Sequence, residues 1–316
     1  MTFANKLKQN MYLFFCLKLL LLLSIVFLLD FSIGKTLRHF YFKEQTGRQY
    51  RATFAIEKTK ANILIFGSSR AYHHYVPDII EDSLKQTCYN TGSPGQFLLY
   101  NYATLKAVLK RYSPKLIILD VTAGDLRIER ESYDRLSFLL PYYKEHEEIR
   151  PIVDLKSPFE KFKLISSIYP FNSTFLMIAG GNSEYFKRRN LEIKGYKPLM
   201  KTWNETIEIR KYESYKLDSI KIKIFSSFIG DCIHSGTKVL VVCSPSYLKY
   251  LQIDNSISSL KKIAMEQNIQ FINYTNDTTF INHSNLFDDP SHLNAKGSEL
   301  FTRILIGNIN KRIKIQ

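Results

Sequence analysis

Apolar positions along this chain fall into one long unbroken run near the start, several short runs further on, and helical stripes between them. Met11 to Ile33 is apolar except at Lys18, Ser24, Asp30 and Ser32. As a helix that stretch covers roughly 34 Å, which matches the hydrocarbon thickness of a bilayer. Leu19 to Leu23 is apolar on every side, unlike a helix that buries one face in a core. The expectation is a membrane anchor over residues 1–34, formed by one transmembrane helix. A cleaved signal peptide is the competing reading, because Ser32-Ile33-Gly34 puts small residues where a peptidase cuts.

Charge does not fix the orientation of that helix. Lys6 and Lys8 precede it, while Lys35, Arg38, Lys43, Arg48 and Arg51 follow it. A literal count keeps the large domain in the cytoplasm, but a long following domain translocates largely regardless of its charge. The working expectation is a single-pass protein with its folded domain outside the membrane, periplasmic or on the outer face.

The short apolar runs are Asn62-Ile-Leu-Ile-Phe-Gly67, Leu116-Ile-Ile-Leu-Asp120-Val121, Lys238-Val-Leu-Val-Val-Cys243 and the weaker Ile269-Gln-Phe-Ile-Asn273. Continuous rather than alternating hydrophobicity is what strands covered on both faces require. Helical stripes lie between them at Pro77–Gln86, Leu98–Arg111, Thr206–His234, Ser256–Gln267 and Ala295–Ile309. Strands alternating with helices predict an α/β fold with a parallel sheet and helices on both sides. Residues 35–60 read as a basic, aromatic connector, and 61–316 as one domain. Within it, about 127–205 shows no clean strand and reads as an insertion, either a lid or recognition surface or a solvated basic face. Its richest part, Tyr185 to Lys201, carries Lys187, Arg188, Arg189, Lys194, Lys197 and Lys201.

Composition narrows the partners. Lys and Arg number 44 against 29 Asp and Glu, a formal net charge of +15. That favours an acidic partner, either phospholipid head groups or an anionic glycan, and the anchor argues against nucleic acid. Cys16 lies in the apolar run, leaving Cys88, Cys232 and Cys243 at spacings that form neither a disulfide framework nor a zinc pattern. No metal and no cofactor are expected.

Two motifs carry the chemistry. Ile65-Phe66-Gly67-Ser68-Ser69-Arg70 is a strand running into a Gly-Ser-Ser turn, the place where a parallel sheet presents ligands. Asp289-Pro-Ser-His292 precedes the C-terminal helix. A nucleophilic serine needs a base, and the base needs a carboxylate to fix its tautomer; one Asp-x-x-His loop can supply both. His73 and His74 follow the serine turn, with pocket lining or metal binding open to them and no carboxylate pattern to complete a metal site. Arg70 can hold a substrate carboxylate or phosphate, or form a salt bridge inside the fold. Asp120 and Asp125 lie at a strand end facing the same site, with surface or capping roles equally open to them.

In the order of these motifs, from about residue 62 to the C-terminus, the chain resembles the SGNH/GDSL hydrolase superfamily. Gly67-Ser68-Ser69 stands where that family has Gly-Asp-Ser, and Leu293-Asn294-x-x-Gly297 continues its last block. The resemblance implies a three-layer, flavodoxin-like fold and a triad of Ser69, His292 and Asp289. It implies an oxyanion donor at Gly92, within Tyr89-Asn90-Thr91-Gly92-Ser93-Pro94-Gly95. The third block departs: Thr122-Ala123-Gly124-Asp125 lacks the family's asparagine, which leaves Thr122 as a poor substitute or another group in its place. Serine at position 68 resembles the membrane-anchored SGNH-like proteins of cell-envelope acylation. That implies an esterase or O-acyltransferase acting on acyl, chiefly acetyl, esters of cell-surface glycans, beside a multi-pass membrane O-acyltransferase. The alternatives are a catalytically weak binding or scaffold protein of the same fold and a phospholipid-directed esterase.

Overall fold

The computed structural model describes residues 3–172, 174–184, 192–211 and 214–313, with side chains from residue 10 onward and excluding 312. Its centre is a sheet of five parallel strands: β1 (Ile63–Phe66), β2 (Cys88–Asn90), β3 (Leu116–Asp120), β4 (Lys238–Cys243) and β5 (Gln270–Asn273), in the order β2-β1-β3-β4-β5. β1, β3 and most of β4 are buried throughout, which is why they read as unbroken apolar runs.

Successive side chains leave a strand on opposite faces, and the core divides accordingly. Leu64, Phe66, Ile117, Leu119, Val239 and Val241 join one apolar cluster, whereas Ile63, Ile65, Ile118, Leu240 and Val242 join another. α1 (Phe3–Lys43), α2 (Gly47–Thr53), α3 (Ser69–His74), α4 (Pro77–Leu84), α5 (Leu98–Arg111), α6 (Ser219–His234), α7 (Asn255–Glu266) and α8 (Ala295–Arg312) are the principal helices. α5, α6 and α7 cover the first face, and α3, α4 and α8 the second. This is a three-layer α/β fold.

Three regions differ from the sequence reading. Residues 35–60 are not a passive connector: α1 runs unbroken to Lys43, and Tyr41, Ala52 and Ile56 are buried in the first-face cluster. Their apolar positions have neither strand nor helix period, so their burial is settled by tertiary packing. The expected helix from Thr206 begins only at Ser219, where the Asp218 carboxylate accepts from the amides of Ile220 and Lys221 and caps it. Upstream, Glu208–Arg210 pairs in parallel with Leu248–Tyr250. In the insertion, Leu136, Leu139, Tyr142, Ile149 and Val153 are buried in the first-face cluster, so this part is a platform built into the core. Lys187, Arg188 and Arg189 of the expected basic face lie outside the described residues.

The apolar run near the start forms α1, of which Asn10–Lys43 is long and apolar enough to cross a membrane and whose apolar window, of mean hydropathy 2.7, is wholly unburied.

Candidate active site

The sheet's order reverses between β1 and β3, and a ligand crevice forms at the carboxyl ends of strands at such a point. Beyond β1 the chain turns at Gly67 with φ +148°. A Cβ there would lie 2.7 Å from Ala71 Cβ and 2.9 Å from the Asp120 carbonyl oxygen, so only glycine permits the turn. The turn lets α3 begin at Ser69, which places the hydroxyl at the sheet's rim.

Ser69 Oγ lies 2.8 Å from His292 Nε2. His292 and Asp289 face one another across a tight hairpin, Phe287–Asp289 against His292–Leu293. Asp289 Oδ2 lies 2.9 Å from His292 Nδ1, while Oδ1 accepts from the amides of Ser291 at 2.7 Å and His292 at 3.0 Å. A carboxylate only accepts, so Nδ1 carries the proton and Nε2 offers its lone pair to the serine hydroxyl. Burial pushes the Asp289 carboxyl up, but the hydrogen bond and charge of His292, with the two amides, outweigh it and hold the group below its ordinary value.

Behind this hairpin is a buried chain of hydrogen bonds. The Leu293 amide donates to His74 Nε2 at 3.0 Å, and His74 Nδ1 is 3.0 Å from Ser244 Oγ. The Ser244 hydroxyl and amide both donate to Asp120, each at 3.0 Å, and Tyr75 donates to the same carboxylate at 3.0 Å. Because Nε2 accepts from an amide, His74 is neutral with its proton on Nδ1. Burial, followed by the His292 and Arg70 charges, holds it well below the usual histidine range. His74 and Asp120 thus position the base loop against the sheet. Ser244 was absent from the sequence reading; its place one residue past β4, at the carboxyl edge, was the signal available.

A strap from the end of the insertion crosses the same region. The Lys197 amide donates to the Tyr72 carbonyl at 3.2 Å, and His73 Nδ1 donates to the Lys197 carbonyl at 2.7 Å. The Lys201 amide donates to Asp288 at 2.7 Å, and the Trp203 amide to the Phe287 carbonyl at 2.8 Å. His73 packs edge-on to His292 with ring centroids 5.5 Å apart, and burial lowers its pKa to about 4. Arg51 of α2 bonds the Tyr72 hydroxyl at 2.8 Å and pairs with Glu192.

The opposite rim is arranged differently. Gly92 lies against the start of α3, where a Cβ would be 2.5 Å from the Tyr72 nitrogen, yet its own amide donates to Asn90 Oδ1 at 2.9 Å. Thr122 donates its hydroxyl to Asp125 Oδ1 at 2.6 Å and its amide to Oδ2 at 2.8 Å. Burial raises the Asp125 carboxyl to about 6, against the two Thr122 bonds that lower it. Arg70 points into the fold rather than at a substrate: its guanidinium donates to the Val121 carbonyl at 2.8 Å and stands 3.9 Å from Asp120. Of the three residues expected to bind substrate or oxyanion, Arg70 is a buried ion-pair residue, and the donors of Gly92 and Thr122 are engaged within the protein. The amides of Ser69 and Arg70 open α3, where a helix has no intrahelical acceptors for its first N–H groups.

No family model and no curated protein matches the chain. Three solved structures are similar in backbone. A provisionally assigned acylhydrolase of Bacteroides fragilis aligns over 86% of this chain and 100% of its own at 13% identity, TM-score 0.42. A Bacillus subtilis protein aligns over 82% of this chain and 58% of its own at 12% identity, TM-score 0.42. A lipolytic protein provisionally placed in the G-D-S-L family, from Desulfitobacterium hafniense, aligns over 80% and 98% at 12% identity, TM-score 0.35.

Proposed function

We propose that this protein is a membrane-anchored serine esterase or O-acyltransferase of the SGNH type, working on acyl esters of a cell-envelope glycan. The hydrogen-bonded series Ser69, His292 and Asp289, with contacts of 2.8 and 2.9 Å, carries this reading. His292 Nε2 takes the hydroxyl proton as Ser69 Oγ bonds to the ester carbonyl carbon, and Asp289 stabilises the imidazolium. The proton then passes from His292 to the departing alkoxide, leaving an acyl group on Ser69. Water or a sugar hydroxyl, deprotonated by the same imidazole, attacks that ester and restores the serine. The Ser69 amide serves the oxyanion of both tetrahedral intermediates.

The anchor reading is supported by how the far end of the apolar run is held. Asp30 accepts from the Ser166 hydroxyl and the Ser167 amide, each at 2.6 Å, and Gly34 packs directly against Ser167. Cutting after residue 34 would discard these contacts, which supports an uncleaved helix; an extracytoplasmic domain is proposed with it. A multi-pass membrane O-acyltransferase is the proposed source of acyl groups.

A fluorophosphonate is the test. The full chain in detergent should be labelled on Ser69, and labelling that persists in Ser69→Ala overturns the assignment. A second reading, a binding or scaffold protein of the same fold, is favoured by one observation: the donors of both Gly92 and Thr122 are engaged within the protein. A wild-type chain that takes no label but binds acetylated glycan would favour it.

A further inference from the structure

Beside the exit of the apolar helix is an exposed apolar ridge that the acyl-transfer chemistry does not use. The amide of Phe162 donates to the carbonyl of Phe159 at 3.1 Å, and that of Ile165 to Phe162 at 3.2 Å. These bonds flank a short helical turn, Glu160–Lys163, and side chains three apart on such a turn share one face. Phe159, Phe162 and Ile165 are accordingly 62%, 70% and 73% exposed, while Glu160 and Leu164 between them are buried. Large side chains this exposed and this aligned are unusual on a surface bathed only in water.

Their position explains them. Ser166 and Ser167, the next two residues, hold Asp30 near the end of the apolar run, and the Ile168 amide reaches the same carboxylate at 3.4 Å. Further along, Phe171 packs on Tyr41 with ring centroids 5.6 Å apart. The segment therefore climbs α1 from Asp30 to Tyr41, and the ridge lies at its lower end, where the helix leaves its unburied apolar stretch. Lys161, 71% exposed at its side chain, lies within the ridge, and exposed Lys35 and Lys144 line the neighbouring cleft beside α1. Aromatic and aliphatic groups flanked by lysines suit the boundary between acyl chains and anionic head groups.

We propose that Phe159, Phe162 and Ile165 insert into the outer boundary of the same bilayer that α1 crosses, as a second membrane contact. With the helix it fixes the domain's rotation about α1, and so the face that the Ser69 site turns to the membrane. The proposal rests on the reading of α1 as a membrane span.

The experiment uses the full chain in nanodiscs of phosphatidylcholine and phosphatidylglycerol. A Cys16→Ala background removes the one exposed thiol, since Cys88, Cys232 and Cys243 are buried. A fluorophore is attached at Phe162→Cys or Ile165→Cys, with Leu20→Cys as the reference in the span and Lys262→Cys as the reference in water. Quenching by a nitroxide at head-group depth should be at least ~3-fold stronger at 162 and 165 than at 262. Equal quenching at 162, 165 and 262, with the label at 20 in lipid, overturns the second contact and leaves the span intact. A water-exposed label at 20 overturns the span and the proposal together. Labels at 162 and 165 that are open in nanodiscs but shielded in native membranes would show that a protein covers the ridge, which also overturns it.

Discussion

The polar groups around Ser69 fall into two sets, one on the His292 side and one on the Gly92 side, built from the same kinds of residue and put to opposite uses. On the His292 side, polar groups form a series directed at Ser69: Asp289 fixes His292, and the Leu293 amide is tied through His74 and Ser244 to Asp120. On the Gly92 side, polar groups close on one another or on the backbone, Asn90 on Gly92, Asp125 on Thr122, and Arg70 on the Val121 carbonyl. A donor already bonded at 2.6–2.9 Å must break that bond to serve a substrate, so closeness to the serine alone does not make an oxyanion hole.

Substitutions can break this contrast. The largest effect is expected from Ser69→Ala, which should lower ester turnover by about 10⁵-fold in a fluorogenic acetyl-ester assay. Asp289→Asn keeps the hairpin but invites the wrong imidazole tautomer, and should cost about 10³-fold to 10⁴-fold in kcat. Arg70→Met should act on folding instead, removing about 3 kcal/mol in urea melts by stranding buried Asp120, with kcat/KM of the folded fraction little changed. A large rise in KM without loss of stability would return Arg70 to the substrate site. Thr122→Val should change kcat/KM by less than about threefold, whereas a true oxyanion donor would cost about 10²-fold or more.

The smallest effect is on pH dependence. Burial lowers the pKa of both histidines below the ordinary value, His73 to about 4 and His74 well below the usual histidine range. The unfolded chain therefore binds more protons than the folded one as acidity rises. Their contribution to stability is complete above pH 6.5 and is lost progressively as pH falls through 4. Thermal melts should show a Tm that declines over this window, and a His73→Asn, His74→Gln variant should decline less steeply. An equal slope in both proteins would remove the neutral pair from the account.

What the sequence made legible follows the range of the interactions involved. Lys238–Cys243 and Leu98–Arg111 begin and end where their apolar patterns do, because local periodicity and two-sided burial dictate them. That Ser69, Asp289 and His292 come within hydrogen-bonding distance was readable because a turn glycine and a four-residue loop place their side chains from short stretches of chain. An internal salt bridge was among the readings of Arg70, but its partner Asp120 and the bonds of His74 were not readable, since they depend on β1, β3, β4 and the His292 loop meeting at one edge. The packing of residues 35–60 was not readable for the same reason: Tyr41 and Ile56 find their apolar neighbours only in the folded core.

α1 continues past Asp30 to Lys43 without a break, a distance of about 20 Å, and its last turns are packed into the domain. On the proposed reading of α1 as a membrane span, the domain is carried on a mast and not on a tether. On that same proposed reading, the reach of Ser69 is a thin shell of constant height, and a substrate meets it by moving along the membrane surface.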